Sequence, residues 1–216
     1  MRAEIDQTGV KKAYARWAPF YDVVFGRLFE SGRQAAIAAA ERVGGKILEV
    51  GVGTGISLPD YSSDNRIVGV DLSEPMLQKA RERVSELALG HVEQLEVMDA
   101  EHLSFPDNSF DAVVALYVVS TVPHPEDALD EFARVVRPGG EIILANRVGA
   151  EAGVRRTVEE MLRPIVCRLG WRLDFPWDRF ASWTERRKDI YLIERRPMPP
   201  FDHFSLLRFG KLAQAA

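Results

Sequence analysis

Short apolar runs punctuate the middle of this chain at regular intervals. Residues 46–50, 66–71, 92–97, 110–116 and 141–145 each read as a strand. The run over 110–116 is dense in Val and Ala, without polar alternation, as suits a strand buried on both faces. Between the runs the period becomes helical. Residues 32–43 form an alanine-rich helical stretch stopped by Gly44-Gly45. Residues 56–60 make a short helix limited by Pro59. Ser73 is placed to cap a helix reaching about Leu87, with Pro75 in its first turn and Gly90 beyond its end. Pro125 opens a helix that ends before Arg137, and Asp107-Asn108-Ser109 is a turn. This alternation predicts an α/β fold, a parallel doubly wound sheet with right-handed crossovers.

The flanks read differently. Val10, Tyr14 and Trp17 fall at helical spacing with Lys11, Lys12 and Arg16 beside them; Pro19 divides the helix, and Phe20–Phe25 begins a second aromatic piece. Residues 151–169 read as an Arg-bearing helix, and 174–183 as an excursion rich in Trp and Phe. Residues 189–195 and 204–209 read as an antiparallel pair at the sheet edge.

The first strand runs directly into Gly51-Val52-Gly53-Thr54-Gly55. Glycines at alternate positions let the chain turn sharply and let backbone N–H groups approach a ligand, although a plain Gly-rich turn has the same composition. A dinucleotide fingerprint needs Gly-x-Gly-x-x-Gly, which is not the spacing here. Glu49, at the strand end, is a poor neighbour for a pyrophosphate and a good one for an amino group. Asp71, roughly twenty residues on, closes the next strand where an acid accepts ribose hydroxyls. Asp99-Ala100 closes the third, where an acid suits an adenine amine. An acid each for an amino acid, a ribose and an adenine describes S-adenosylmethionine. In Glu49–Gly55, Gly69–Leu77, Asp99–Phe105 and Arg137–Glu141 the chain resembles the class I S-adenosylmethionine-dependent methyltransferases. The resemblance implies a seven-stranded sheet in the order 3-2-1-4-5-7-6. It also implies a cofactor site at Glu49, Gly51, Gly53, Gly55, Asp71, Leu72, Met76, Asp99, Ala100 and Leu116.

Charge changes the picture at the two ends. The net charge of −4 divides into +2 over residues 1–33, −11 over 34–146 and +5 over 147–216. An anionic surface would therefore meet the ends rather than the core. The single cysteine, Cys167, excludes an internal disulfide and fits a reducing compartment. No apolar run approaches the ~20 residues of a spanning helix, and the N-terminus has no signal-peptide core. The expectation is a cytoplasmic protein, at most peripheral on the inner face of a membrane.

Methyl transfer from a sulfonium needs proximity, orientation and exclusion of water rather than a protein nucleophile. Consistently, no triad and no metal-ligand spacing is present, so no metal is expected. The block Tyr14–Asp22 resembles two groups: soluble bacterial phosphatidylethanolamine N-methyltransferases and quinone C-methyltransferases. The basic helix start, Tyr21–Gly26, the Arg-rich stretch and the ending Pro200–Phe209 favour the first. That resemblance implies stepwise methylation of a phospholipid amine, with residues 1–30 as an amphipathic lid and residues 31–216 as the methyltransferase domain. Candidate acceptor-side residues are Tyr21, Tyr14 and His124 for the amine proton and Arg147 for the phosphate. An anionic membrane surface is expected to meet residues 10–25; no nucleic acid is expected. A quinone or other small-molecule methyltransferase, or a cofactor-binding membrane module without catalysis, are the alternatives.

Overall fold

The computed structural model describes residues 29–148, 175–199 and 204–213. The expected N-terminal segment, with Tyr14 and Tyr21, and the Arg-bearing helix over 151–169 lie outside the described residues.

Strands β1 (Lys46–Val50), β2 (Arg66–Asp71), β3 (Val92–Val97) and β4 (Phe110–Leu116) begin and end where the apolar runs do. They alternate with helices α1 (Glu30–Val43), α2 (Glu74–Glu86) and α3 (Pro125–Val135). Strand β5 (Val136–Arg147) follows directly, then α4 (Trp177–Arg186), β6 (Ile190–Met198) and β7 (Phe204–Lys211). All seven strands form one sheet in the order β3-β2-β1-β4-β5-β7-β6. The first five pair in parallel, whereas β7 runs antiparallel to both β5 and β6. Arg208 of β7 fixes that end: its guanidinium bonds Glu141 of β5 at 3.0 Å and Glu194 of β6 at 3.0 Å.

Alternate residues feed two apolar layers. Leu48, Val50, Val113, Ala115 and Leu144 pack beneath α3 and α4, with Leu129, Phe132, Phe180 and Trp183. Ile47, Val114, Ile143 and Ala145 pack on the other face, with Ile37 and Ala40 of α1. A central parallel strand is buried on both faces for this reason.

The structure corrects five local expectations. Helix α1 starts at Glu30, ahead of Gly32, and the turn after the glycines is a single 3₁₀ turn, Leu58–Asp60. Ser73 occupies the N-cap position of α2, yet its hydroxyl makes no capping bond. Strand β5 starts at Val136 and passes through Pro138-Gly139-Gly140; the pairing with β4 shifts register there, which absorbs the proline. The aromatic excursion is helix α4, whose Phe180 and Trp183 are fully buried and whose Trp183 indole donates to Asp130 at 2.9 Å.

Candidate active site

The glycine turn is drawn onto the end of β2. The Gly51 and Val52 N–H groups donate to the Val70 carbonyl at 2.8 and 3.1 Å. The Gly53 N–H donates to Asp71 Oδ2 at 2.9 Å, and Ser73 N–H to Asp71 Oδ1 at 2.8 Å. Gly51 has φ +74°, and a Cβ there would lie 2.2 Å from Val118 Cγ2, so only glycine lets the chain after β4 close over the turn. Gly53 has φ +57° and nothing within 4 Å of an added Cβ, leaving an open approach to its backbone. Gly55, with φ +71°, seats the turn against Leu58 and Ala80.

Glu49 is 1 % exposed, and its Oε1 accepts the Ser57 hydroxyl at 2.5 Å. Its Oε2 and the neighbouring Tyr61 hydroxyl are both buried without a geometrically formed hydrogen bond. Burial pushes the Glu49 carboxyl up to about 7, against partial relief from Ser57, Tyr61 and Arg33. A buried acid with one unsatisfied oxygen is costly, and an incoming ammonium relieves that cost. Asp71 is likewise raised by burial and held back by the Ser73, Gly53 and Leu72 N–H groups. The Gly53 bond falls on one oxygen and the Ser73 bond on the other, and a carboxylate keeps lone pairs for hydroxyl donors.

The remaining predicted cofactor residues follow the strand ends, except Met76, which lies in the first turn of α2. Met76 and Ala100 are buried, while Leu72 and Leu116 are half-buried. Asp99 closes the turn after β3, its Oδ1 accepting the Glu101 N–H at 3.0 Å. That turn is braced from α3 by residues that the sequence pattern did not single out. Buried Glu101 accepts the His124 N–H at 2.7 Å, and Glu131 accepts the Leu103 N–H at 2.7 Å. Arg134 donates to the Leu103 and Phe105 carbonyls at 2.7 Å. Acids and an arginine facing a loop across ~30 residues leave no periodic trace in sequence.

The acceptor-side candidates separate. His124 is exposed at the N-cap position of α3, tied to the loop by its backbone rather than its ring. Arg147 closes β5 and is half-buried. Tyr117, just past β4, has φ +64° and stacks on Phe29 at 4.2 Å, with Phe204 edge-on at 5.4 Å. Its hydroxyl donates to the Phe29 carbonyl at 3.3 Å, and burial pushes it well above the ordinary tyrosine range. It anchors the start of α1 and is no base near neutral pH.

The buried, half-satisfied Glu49, the open backbone at Gly53 and the pinned Asp71 together fit S-adenosylmethionine. The family model described as a methyltransferase domain matches residues 48–144. Over 202 residues the chain is 44 % identical to a phosphatidylethanolamine N-methyltransferase of Cereibacter sphaeroides, covering 94 % of this chain and 97 % of that one. It is a class I S-adenosylmethionine-dependent methyltransferase. A ubiquinone/menaquinone biosynthesis C-methyltransferase of Pseudomonas fluorescens is 32 % identical over 136 residues, 60 % of this chain and 53 % of the relative. Among solved structures, a Haloferax volcanii complex of the Trm112 activator with a methyltransferase matches at TM-score 0.74 and 18 % identity, covering 96 % and 99 %. A methyltransferase of Thermotoga maritima matches at TM-score 0.64 and 23 % identity, covering 93 % and 99 %. At these identities the two structures speak for the fold. In such a methyltransferase the bound cofactor supplies an electrophilic methyl group on a sulfonium. Glu49 would hold its amino group, the glycine turn its backbone-facing atoms and Asp71 its ribose.

Proposed function

We propose that this methyltransferase acts on the amine of phosphatidylethanolamine, stepwise toward phosphatidylcholine, at a membrane surface. The observation that carries this reading is the extent of likeness. The similarity to the lipid N-methyltransferase runs through 94 % of the chain, well beyond the 48–144 stretch of the family model. The similarity to the quinone enzyme covers 60 %. Acceptor choice in a doubly wound methyltransferase belongs to what is added around the strand ends, which argues for the relative that shares those additions.

The chemistry asks little of the protein. The lipid ammonium, with a pKa of roughly 10, must lose a proton before it can attack. Tyr21, Tyr14 or His124 can take that proton, directly or through water, and Arg147 can pair with the lipid phosphate. A quinone carbon would instead need a base beside an aromatic ring, and the Tyr117 hydroxyl is raised out of that role. No helix among the described residues is long and apolar enough to cross a membrane.

The test is expression in a bacterial host that lacks phosphatidylcholine, with the lipids separated by thin-layer chromatography. Mono-, di- and trimethylated lipids should accumulate. An unchanged lipid profile with methylated quinones would overturn the reading in favour of the second relative's chemistry.

A further inference from the structure

The carboxyl end of β5 holds a side chain that neither the fold nor the cofactor site employs. Asn146 is 1 % exposed. Its Nδ2 donates to the Arg147 carbonyl at 3.1 Å, which fixes which end of the amide is oxygen. The other end, Oδ1, is buried and has no hydrogen-bond partner. A buried carboxamide oxygen without a donor is uncommon and carries a desolvation cost that folding alone does not repay.

Its place indicates what could satisfy it. Along β5, Ile142 and Leu144 enter one apolar layer and Ile143 and Ala145 the other, so Asn146 shares the face of Leu144 and Val148. Ala145 pairs with Leu116 of β4, and the Tyr117 N–H donates to the Ala145 carbonyl at 2.7 Å. β4 in turn pairs with β1, whose end opens into the glycine turn, and Val118 overlies Gly51. Two strand spacings, about 10 Å, therefore separate the row of Asn146 from the glycine turn. An oxygen that only accepts calls for a donor there, and an amine brings N–H groups.

We propose that Asn146 is a positioning residue that accepts an N–H of the amine undergoing methylation. This rests on the amine-acceptor reading above and sharpens it. The amine lone pair forms the new N–C bond while the C–S bond pair leaves with sulfur. The nitrogen gains positive charge as it does so, and the N–H held by Asn146 Oδ1 becomes a stronger donor. The resulting ammonium loses one proton to water before the next cycle. A neutral primary amine has two N–H groups, a secondary amine one and a tertiary amine none. Asn146 can therefore assist the first and second methylations and has nothing to hold in the third.

The experiment uses the full chain, a short-chain phosphatidylethanolamine, and its N-methyl and N,N-dimethyl derivatives, each supplied separately. Asn146→Ala should lower kcat by about tenfold on the first two acceptors and leave the third within about twofold. Cofactor affinity by calorimetry should match the parent's. Asn146→Leu, alike in branched shape, serves if the alanine variant unfolds, and should give the same pattern. Equal losses on all three acceptors, or no loss on any, would overturn the role of Asn146 and leave the lipid reading standing. A parent enzyme that methylates none of the three would overturn both.

Discussion

Glu49 carries a conflict between stability and function that pH exposes. Its carboxyl is pushed up to about 7 by burial, whereas in the unfolded chain it ionises near 4.5. Between those values the unfolded chain has given up a proton that the folded chain retains, so stability falls as pH rises through the window. The loss is complete above about pH 7 and amounts to at most ~3 kcal/mol. Cofactor binding runs the opposite way, because the ammonium pairs with the ionised form. Glu49→Gln should therefore raise the thermal midpoint of the free enzyme at pH 8, with the gap to the parent closing toward pH 4. The same change should weaken cofactor binding at pH 8 by roughly tenfold to a hundredfold, from a lost charge-assisted bond of ~1.5–3 kcal/mol. Calorimetry and thermal scans across that range check both arms; equal cofactor affinity in parent and variant at pH 8 would remove Glu49 from the site.

At the scale of elements, α1 is fitted to the site by the absence of a side chain. A Cβ on Gly32 would lie 2.1 Å from the Tyr117 hydroxyl oxygen and 3.3 Å from the ring carbon that bears it. The helix thus accepts a glycine, at a propensity cost of ~1 kcal/mol against alanine, to seat a tyrosine in the left-handed region. Gly32→Ala alone should destabilise the protein by ~1–3 kcal/mol through overpacking. Added to Tyr117→Phe, which removes the clashing oxygen, the same substitution should become neutral or stabilising. Denaturant melts of the four proteins in this cycle measure the coupling, and additive effects would disprove the fit. This contact was not legible in the sequence, since Gly32 and Tyr117 are joined only by the fold. The strands were legible because buried parallel strands concentrate Val, Ile and Ala over five to seven residues. The Asp71 and Glu49 positions were legible because they follow such runs directly. Helix α4 was read only as an aromatic excursion: Trp177, Phe180 and Trp183 do recur at helical spacing, yet the stripe spans only ten residues. Glu101 and Glu131 escaped notice because burial of a polar side chain leaves no periodic mark.

For the whole molecule, the distribution of charge decides which part of the chain an anionic surface would attract. The core over residues 34–146 carries −11, and the flanking regions carry +2 and +5. An anionic bilayer repels the first and attracts the others, which would orient the protein before any specific contact forms. Within the N-terminal region, Lys11, Lys12 and Arg16 lie beside Val10, Tyr14, Trp17, Phe20 and Phe25, the composition of an interfacial helix. Near an anionic surface each basic residue is worth on the order of 1 kcal/mol, an attraction confined to a Debye length of ~10 Å at 0.1 M salt. The protein should therefore sediment with vesicles containing phosphatidylglycerol, less so as salt rises, and hardly at all with purely zwitterionic ones. Replacing Lys11, Lys12 and Arg16 with Glu reverses three charges and should abolish sedimentation while cofactor affinity stays at the parent's value. Glu49, Gly53 and Asp71 of the cofactor site are not among the three residues replaced. If the triple variant still sediments like the parent, the attraction comes from the basic region beyond Asn146, and reversing Arg155, Arg156 and Arg163 should then abolish it.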